Sequence, residues 1–156
     1  MANVVVREVA PAQTRELRQA VLRPHQTLEE LAGDEPTDAF AVGGFEGATL
    51  IAVGLVAPDR KPGGWRIRGM ATAPSARGRG AGTAVLDALI GHAAEHGARR
   101  VWCNARTPAR SLYERAGLRV VSEEFTLPDI GPHLVMEMHT GGRTRSPLAG
   151  AGAQRP

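Results

Sequence analysis

The sequence is poor in residue types that several specialised protein classes require. Cys103 is the only cysteine among 156 residues, so an internal disulfide is impossible and the cysteine clusters of structural zinc sites are missing. One tyrosine and three phenylalanines offer little for stacking nucleic-acid bases. No run of about 18 apolar residues occurs, and the first 20 residues lack the pattern of a signal peptide. We therefore expect a cytoplasmic protein that binds neither nucleic acid nor membrane.

The excess of positive charge lies at the end of the chain. The formal net charge is +3, but Arg143, Arg145 and Arg155 lie in a final segment, residues 141–156, that contains no acidic residue. Residues 1–140 are therefore neutral overall, which argues against binding to a nucleic-acid backbone. The final segment has one leucine as its only large apolar residue, too little to offset the entropy lost on ordering. We predict one folded domain over residues 1–140 and a flexible tail over residues 141–156.

Hydrophobic periodicity predicts a mixed α/β or α+β layer, in which helices cover a central sheet. The predicted order is a strand, two short helices, three strands, a long helix, a strand, a helix and two strands. The long helix follows Arg79 and ends at Gly97. The last helix begins with Thr107 as its cap and a proline in the first helical position. The last two strands are predicted over residues 119–125 and 133–138.

A glycine-rich turn joins the fourth strand to the long helix. A helix N-terminus presents free N–H groups and a partial positive charge, which together can receive phosphate oxygens. Gly78, Gly80 and Gly82 let a ligand approach the backbone closely, and Arg77 and Arg79 add charged donors. The turn is therefore a candidate phosphate-binding site.

Three interpretations of this turn compete. The P-loop motif requires a lysine before Ser or Thr, but the only lysine of the chain is Lys61. The dinucleotide motif requires a third glycine where Thr83 stands, in a turn that follows the first strand of its fold. A connector with solvated arginines and no ligand is the remaining alternative, and the sequence on either side of the turn makes it the less favoured one.

Two motifs give the chain a resemblance to the GNAT superfamily of acyl-CoA-dependent N-acyltransferases. Arg77, Gly80 and Gly82 match the family signature Gln/Arg-x-x-Gly-x-Gly/Ala, and Ala73-Pro74 precedes them as in the family. Residues 112–118, Leu-Tyr-Glu-Arg-Ala-Gly-Leu, resemble the family's Phe/Leu-Tyr-x-x-x-Gly-Phe element. The resemblance covers roughly residues 4–140. It implies a mixed, mostly antiparallel central sheet of about seven strands, flanked by about four helices.

A narrower similarity concerns two further segments. Residues 104–106, Asn-Ala-Arg, and residues 123–125, Glu-Glu-Phe, followed by His133, are similar to the ElaA-like branch of bacterial GNAT proteins. That branch does not define a substrate.

The resemblance implies an enzyme that moves an acetyl group from acetyl-CoA to an amine, either a small molecule or a peptide amine, by direct attack in a ternary complex. It implies a V-shaped opening in the sheet between the strands at Met70 and Val101. The main chain at Met70 and Thr72 would pair with pantetheine, and the amides of the glycine turn would hold the pyrophosphate. No metal is needed, and a homodimer is compatible with the sequence. The implied cofactor-binding residues are Met70, Ala71, Thr72, Arg77, Gly78, Arg79, Gly80, Ala81, Gly82, Thr83 and Asn104.

Acyl transfer from a thioester to an amine needs a neutral amine, a stabilised oxyanion and a proton for the departing thiolate. Tyr113 matches the family tyrosine that points at the coenzyme sulfur, although it also continues the apolar stripe of its helix and could simply be core. Residues 65–69 lack the glutamate that many family members use as a base. The base could instead be His133, Glu124 or His25, of which His133 is preferred, although each could equally be an ordinary loop residue.

A cluster of acidic residues admits two interpretations. Glu29, Glu30, Asp34, Glu35 and Asp38 lie in the segment that, by resemblance, walls the acceptor site. They can attract a cationic amine or simply form a solvated helix face.

The pair His92 and His96 has a spacing that suits a metal, but no third ligand is evident, and we interpret both as surface residues. The alternative function is a non-catalytic acyl-CoA-binding sensor or a partner-binding module, because the strand glutamate is missing.

Overall fold

A computed structural model describes residues 3–141, which form one open sheet with helices on both faces. The strands are β1 (Val4–Val9), β2 (Phe40–Glu46), β3 (Thr49–Pro58), β4 (Gly64–Thr72), β5 (Arg100–Arg106), β6 (Arg119–Val120), β7 (Phe125–Leu127) and β8 (Gly131–His139). The helices are α1 (Arg15–Leu22), α2 (Leu28–Gly33), α3 (Ala81–Glu95) and α4 (Arg110–Arg115). Three short 3₁₀ turns cover Pro11–Thr14, Pro74–Ala76 and Thr107–Ala109.

The strand order across the sheet is β1-β2-β3-β4-β5-β8-β6, and β7 also pairs with β8. All neighbouring strands run antiparallel except β4 and β5, which run parallel. The predicted fold class, a mostly antiparallel mixed sheet with about four helices, is confirmed. The described residues contain eight strands, one more than predicted.

Adjacent residues of β3 show how the helices divide between the two faces. A Cβ at Gly54 would meet Leu89 and Val85 of α3, whereas the side chain of Leu55 lies near Gly69 beside Arg18 of α1. Because side chains alternate across a strand, α3 and α1 cover opposite faces of the sheet. The face beneath α3 holds the larger core, in which Val85 and Leu89 are fully buried.

Two predicted element boundaries were wrong, and side-chain hydrogen bonds account for both. The predicted strand over residues 119–125 is divided into β6 and β7, because the Ser122 hydroxyl accepts the N–H of Val135 and takes the place of a backbone carbonyl. Thr107 does not cap the last helix. Its hydroxyl donates to Glu124 at 2.8 Å, and Arg106 stands before the helical turn instead.

The predicted tail falls outside the described residues except for Gly141, so the domain boundary at residue 140 stays a prediction. None of the helices within residues 3–141 is long and apolar enough to cross a membrane.

Candidate active site

A cavity of about 710 Å³ opens where β4 and β5 separate. The two strands pair only at their beginnings, from Gly64 opposite Arg100 to Arg66 opposite Trp102. Beyond that point β5 continues to pair with β8 along its whole length, while β4 stays paired with β3. The gap between them is the predicted V-shaped opening, and its volume is in the range of small-molecule sites.

A bulge at Gly69 marks the point where β4 changes direction. Ala71 lies opposite Val53 and Arg68 opposite Leu55, so two residues of β4 face one residue of β3. Gly69 has φ of 66°, and a Cβ there would lie 2.9 Å from Arg18 Nε. Glycine is therefore required both for the backbone conformation and for the close approach of Arg18.

Beyond the bulge, one edge of β4 faces the opening with its backbone groups. The N–H of Ala73 donates to the Ile51 carbonyl of β3 at 2.8 Å. Because N–H and C=O directions alternate along a strand, Ala71 also faces β3, whereas Met70 and Thr72 face the gap. Both residues line the cavity. This edge provides donors and acceptors for an extended amide-containing ligand.

The edge leads into the glycine turn at the start of α3. Gly78 and Gly80 each have φ of 83°, a left-handed conformation that favours glycine. A Cβ at either position would meet nothing within 4 Å, so the surface above the turn is open. Gly80 precedes α3 without a side-chain cap, which leaves the first N–H groups of the helix available. This geometry suits an anion.

The structure brings together most of the predicted cofactor-binding residues. Ten of the eleven line the cavity, and the exception is Arg79. Arg79 is exposed, and its guanidinium donates to Glu46 at 2.5 Å and to the Ser75 carbonyl at 3.3 Å. Arg77 is therefore the arginine of the signature that faces the cavity.

Tyr113 projects from α4 into the cavity wall and is only 6% exposed. Burial raises the pKa of its phenol well above the ordinary value, the neighbouring Cys103 thiol adds to the increase, and the Arg106 guanidinium partly opposes it. The phenol therefore stays protonated at every physiological pH, as a proton donor must.

His133 lies near the beginning of β8, is 3% exposed and also lines the cavity. Its Nδ1 lies 2.8 Å from the Gly131 carbonyl oxygen. Since a carbonyl can only accept, Nδ1 carries the proton of the neutral ring, and Nε2 is the basic nitrogen. His133 stands opposite Arg106 in the β5–β8 pairing.

The other two candidate bases lie elsewhere. Glu124 is exposed, accepts a hydrogen bond from Thr107 and does not line the cavity. His25 is exposed and likewise lies outside the lining.

Cys103 lies in the cavity wall on β5, but its thiol is a poor nucleophile. Burial raises the pKa of the thiol to about 12, and the charge of Arg66 only partly counteracts this. The group is therefore a protonated thiol at neutral pH, not a nucleophilic thiolate.

Four arginines in the cavity wall, Arg115 of α4 among them, were not predicted as site residues. Arg23 follows α1, Arg68 precedes the bulge of β4, and Arg106 ends β5. Together with Arg77 and Arg115 they give the cavity five arginines, and among the described residues that line it there is no aspartate or glutamate. Only Arg106 carried a signal in the sequence, through its place in the Asn-Ala-Arg segment.

None of the predicted acidic residues lies in the cavity wall. Glu35 instead accepts hydrogen bonds from Arg15 and Arg18, at distances of 2.6–2.9 Å. Asp34 accepts from Gln26 at 3.3 Å. The structure therefore gives no support to the hypothesis that these acids attract a cationic amine into the site.

His92 of α3 and His96, which follows the last residue of that helix, form part of an aromatic stack. His92 lies between Phe40, at 3.6 Å between ring centroids, and His96, at 4.1 Å. His92 is half-buried and therefore not the surface residue that was predicted, whereas His96 is exposed. Within residues 3–141 no group of three or more His, Cys, Asp or Glu side chains is placed to hold a metal.

Comparison with known proteins shows to which family the chain belongs. The acetyltransferase (GNAT) family profile matches residues 6–118. The chain belongs to the GNAT family. It is 34% identical over 138 residues to the uncharacterized N-acetyltransferase YitI of Bacillus subtilis (strain 168), with 84% of this chain and 93% of that protein covered. The chain is accordingly a GNAT-type N-acetyltransferase, whose acetyl donor is acetyl-CoA.

Solved GNAT structures share the fold. The ribosomal-protein-S18-alanine N-acetyltransferase of Escherichia coli superposes with a TM-score of 0.72 at 14% identity, covering 93% of this chain and 97% of that one. A Bacillus subtilis acetyltransferase in complex with CoA gives 0.66 at 15% identity, covering 89% and 99%. The similarity to the ElaA-like branch stays a prediction.

Proposed function

We propose that this GNAT enzyme transfers the acetyl group of acetyl-CoA to an amine, by direct attack within a ternary complex held in the β4–β5 cavity. The observation that carries this proposal is the continuity of the β4 edge with the glycine turn. Met70 and Thr72 face the gap, and the strand then leads through the turn to the uncapped N-terminus of α3. An extended amide arm that ends in a pyrophosphate matches this sequence of groups.

Different residues of the cavity would bind different parts of acetyl-CoA. The main chain of Met70 and Thr72 would hydrogen-bond the pantetheine amides. The amides from Gly78 to Thr83 would hold the pyrophosphate at the helix N-terminus, with the Arg77 guanidinium beside them. Asn104 on β5 faces the same cavity from the other side of the gap. Arg79 is a weaker candidate, because Glu46 and Ser75 already engage it.

The acid and the base of the reaction are assigned to Tyr113 and His133. Nε2 of His133 would take the proton from the attacking amine as the new N–C bond forms. The Tyr113 phenol would give its proton to the sulfur as the C–S bond breaks. Glu124 would act only through intervening water, since it is exposed and lies outside the lining.

The state of Cys103 supports direct attack over an acetylated enzyme intermediate. A covalent route requires a nucleophile in the cavity, and Cys103 is the only cysteine of the chain. With a pKa of about 12, its thiol is almost entirely protonated at neutral pH. The acetyl group would therefore pass directly from sulfur to nitrogen, without forming a covalent intermediate with the protein.

The test is acceptor-dependent release of the CoA thiol from acetyl-CoA across a panel of amines, amino acids and peptides. Rates without acceptor are subtracted as background hydrolysis. We expect at least one acceptor to give saturable thiol release, with initial-rate lines that intersect as both substrates are varied. Binding of acetyl-CoA without turnover of any acceptor would instead establish a non-catalytic sensor, and parallel lines would exclude the ternary complex.

A further inference from the structure

We propose that the acceptor is an amine that also carries a carboxylate, and that Arg23 and Arg106 bind this carboxylate beside the catalytic groups. The proposal rests on the proposed function and specifies its substrate class. A polyamine or another purely cationic acceptor is correspondingly disfavoured.

The two guanidinium groups converge on one atom. Arg106 Nη2 donates to the Leu22 carbonyl oxygen at 2.6 Å, and Arg23 Nη1 donates to the same oxygen at 3.2 Å. A guanidinium has five N–H donors, so one shared carbonyl satisfies only a small part of their combined capacity. Both side chains therefore keep further N–H donors near the end of α1, where Leu22 and Arg23 line the cavity.

Like charges surround this pair. Burial lowers the pKa of Arg23, and the positive charges of Arg106 and Arg18 lower it further, with Asp34 opposing. Burial also lowers the pKa of Arg106. Arg68 adds a third guanidinium from β4 to the lining, which contains no described carboxylate. Such a cluster is costly until an anion enters it, and a carboxylate can accept two parallel N–H bonds from each guanidinium.

The pair lies beside the groups that would perform the chemistry. Arg106 is the cross-strand partner of His133, and directly opposed residues share one face of the sheet. Its charge also acts on the phenol of Tyr113. The glycine turn, which would bind the pyrophosphate, has its own arginine, Arg77, and lies at the N-terminus of α3. The structure thus provides separate sites for the phosphates and for an anion on the acceptor.

The acidic residues that would favour a cationic acceptor are engaged elsewhere. Glu35 is held by Arg15 and Arg18, and none of the acidic cluster around it lines the cavity. A diamine entering the site would meet arginines without a compensating carboxylate. Repulsion of that kind discriminates as strongly as attraction does.

The experiment compares matched acceptors that differ only in the carboxylate. Phenylalanine, phenylalaninamide and phenethylamine form one series, and lysine and cadaverine form a second. For the parent enzyme we expect kcat/KM to favour the carboxylate member of a series by at least about a hundredfold, since unpaired buried charges reject an acceptor that lacks the anion.

The variants Arg23→Gln and Arg106→Gln test the assignment. Each should reduce the preference for the carboxylate at least about tenfold, mainly through KM, and Arg23→Lys should restore part of it. Arg60→Gln, an exposed arginine outside the cavity, is the matched control and should keep the preference. Melting curves and calorimetric acetyl-CoA affinity show whether each variant is folded and binds its donor.

The outcomes separate this inference from the proposed function. If phenethylamine or cadaverine is acetylated as well as its carboxylate partner, the inference is wrong, although the proposed function stands. If the arginine variants slow both members of a series equally, the pair serves the donor or the transition state, and the inference is also wrong. If acetyl-CoA binds but no acceptor releases thiol, the proposed function fails and the inference fails with it.

Discussion

Ala73 donates its backbone N–H to the carbonyl oxygen of Ile51 across 2.8 Å, and this bond shows which residues of β4 face the cavity. Because the directions alternate, Met70 and Thr72 present their backbone groups to the gap that β5 leaves open. A shift of one residue would turn these groups towards β3. The account of acetyl-CoA binding therefore depends on the register that the Gly69 bulge sets.

Replacing Gly80 by valine should weaken acetyl-CoA binding at least about tenfold, equivalent to about 1.4 kcal/mol. Gly80 has φ of 83°, a conformation that a β-branched residue adopts only under strain, so the turn must rearrange. The measurement is calorimetric affinity of the folded variant.

Gly91→Ala is the matched control for this substitution. Gly91 lies inside α3, and a Cβ there meets nothing within 4 Å. Alanine should preserve the affinity and stabilise the helix by roughly 0.5–1 kcal/mol. Equal affinity in the Gly80 variant and its parent would remove the turn from the binding site.

Replacing Tyr113 by phenylalanine should lower turnover about a hundredfold and leave acetyl-CoA affinity nearly unchanged, because only the proton-donating hydroxyl is lost. The ring would still fill its place in the core. Steady-state and single-turnover rates, with a melting curve of the same preparation, provide the measurement. A rate within about twofold of the parent would show that another group, or direct thiolate departure, completes the reaction.

Replacing Glu35 by glutamine should destabilise the fold by about 2 kcal/mol, because Arg15 and Arg18 both lose their charged acceptor. Burial tends to raise the pKa of Glu35, but the hydrogen bonds from the two arginines outweigh it and hold the pKa below the ordinary value. The stability from this group is therefore present above the ordinary carboxylate pKa and lost as pH falls through the lowered one.

Acid unfolding curves test this linkage. The parent should lose more stability than Glu35→Gln between about pH 5 and pH 3, where the unfolded carboxylate titrates. Glu123→Gln, which changes an exposed glutamate in a loop, should follow the parent. A Glu35 variant with parental stability and parental acid sensitivity would contradict the role assigned to the ion pair.

Acidification should also destabilise the protein through His92. Burial lowers the pKa of His92, the nearby His96 lowers it further, and the charge of Glu8 opposes them. A histidine with a lowered pKa contributes stability above the unfolded value of about 6.5, and this is lost as pH falls below that value. His92→Gln should therefore show a smaller drop in melting temperature between about pH 7.5 and pH 5.5 than the parent, whereas the exposed control His25→Gln should match the parent. Parallel curves for all three proteins would refute the role of His92.

The parts of the site that sequence could predict are those that depend on neighbouring residues. The glycine turn, the start of α3 and the tyrosine motif each lie within one short segment, where backbone conformation and spacing limit the possibilities. Gly69 also carried a usable signal, because a glycine inside a strand pattern often marks a bulge.

The remaining features depend on contacts between distant segments. Arg106 reaches a carbonyl 84 residues earlier in the chain, and Glu35 meets arginines 17 and 20 residues away. The resemblance placed the acidic segment at the wall of the acceptor site, whereas in the structure arginines line the cavity. No pattern in the sequence shows whether a charged side chain is already paired with an oppositely charged side chain from another segment.

The most direct test of the account follows the acetyl group itself. Acetyl-CoA labelled with ¹³C in its acetyl carbons is mixed with enzyme and a carboxylate-bearing amine, quenched at short times and analysed by mass spectrometry of acceptor and protein. The account predicts one labelled acetyl group on the acceptor nitrogen for each CoA thiol released, with no label on the protein at any time. Label on Cys103 or on another side chain before it reaches the acceptor, or label released only as acetate, would contradict direct transfer in this cavity.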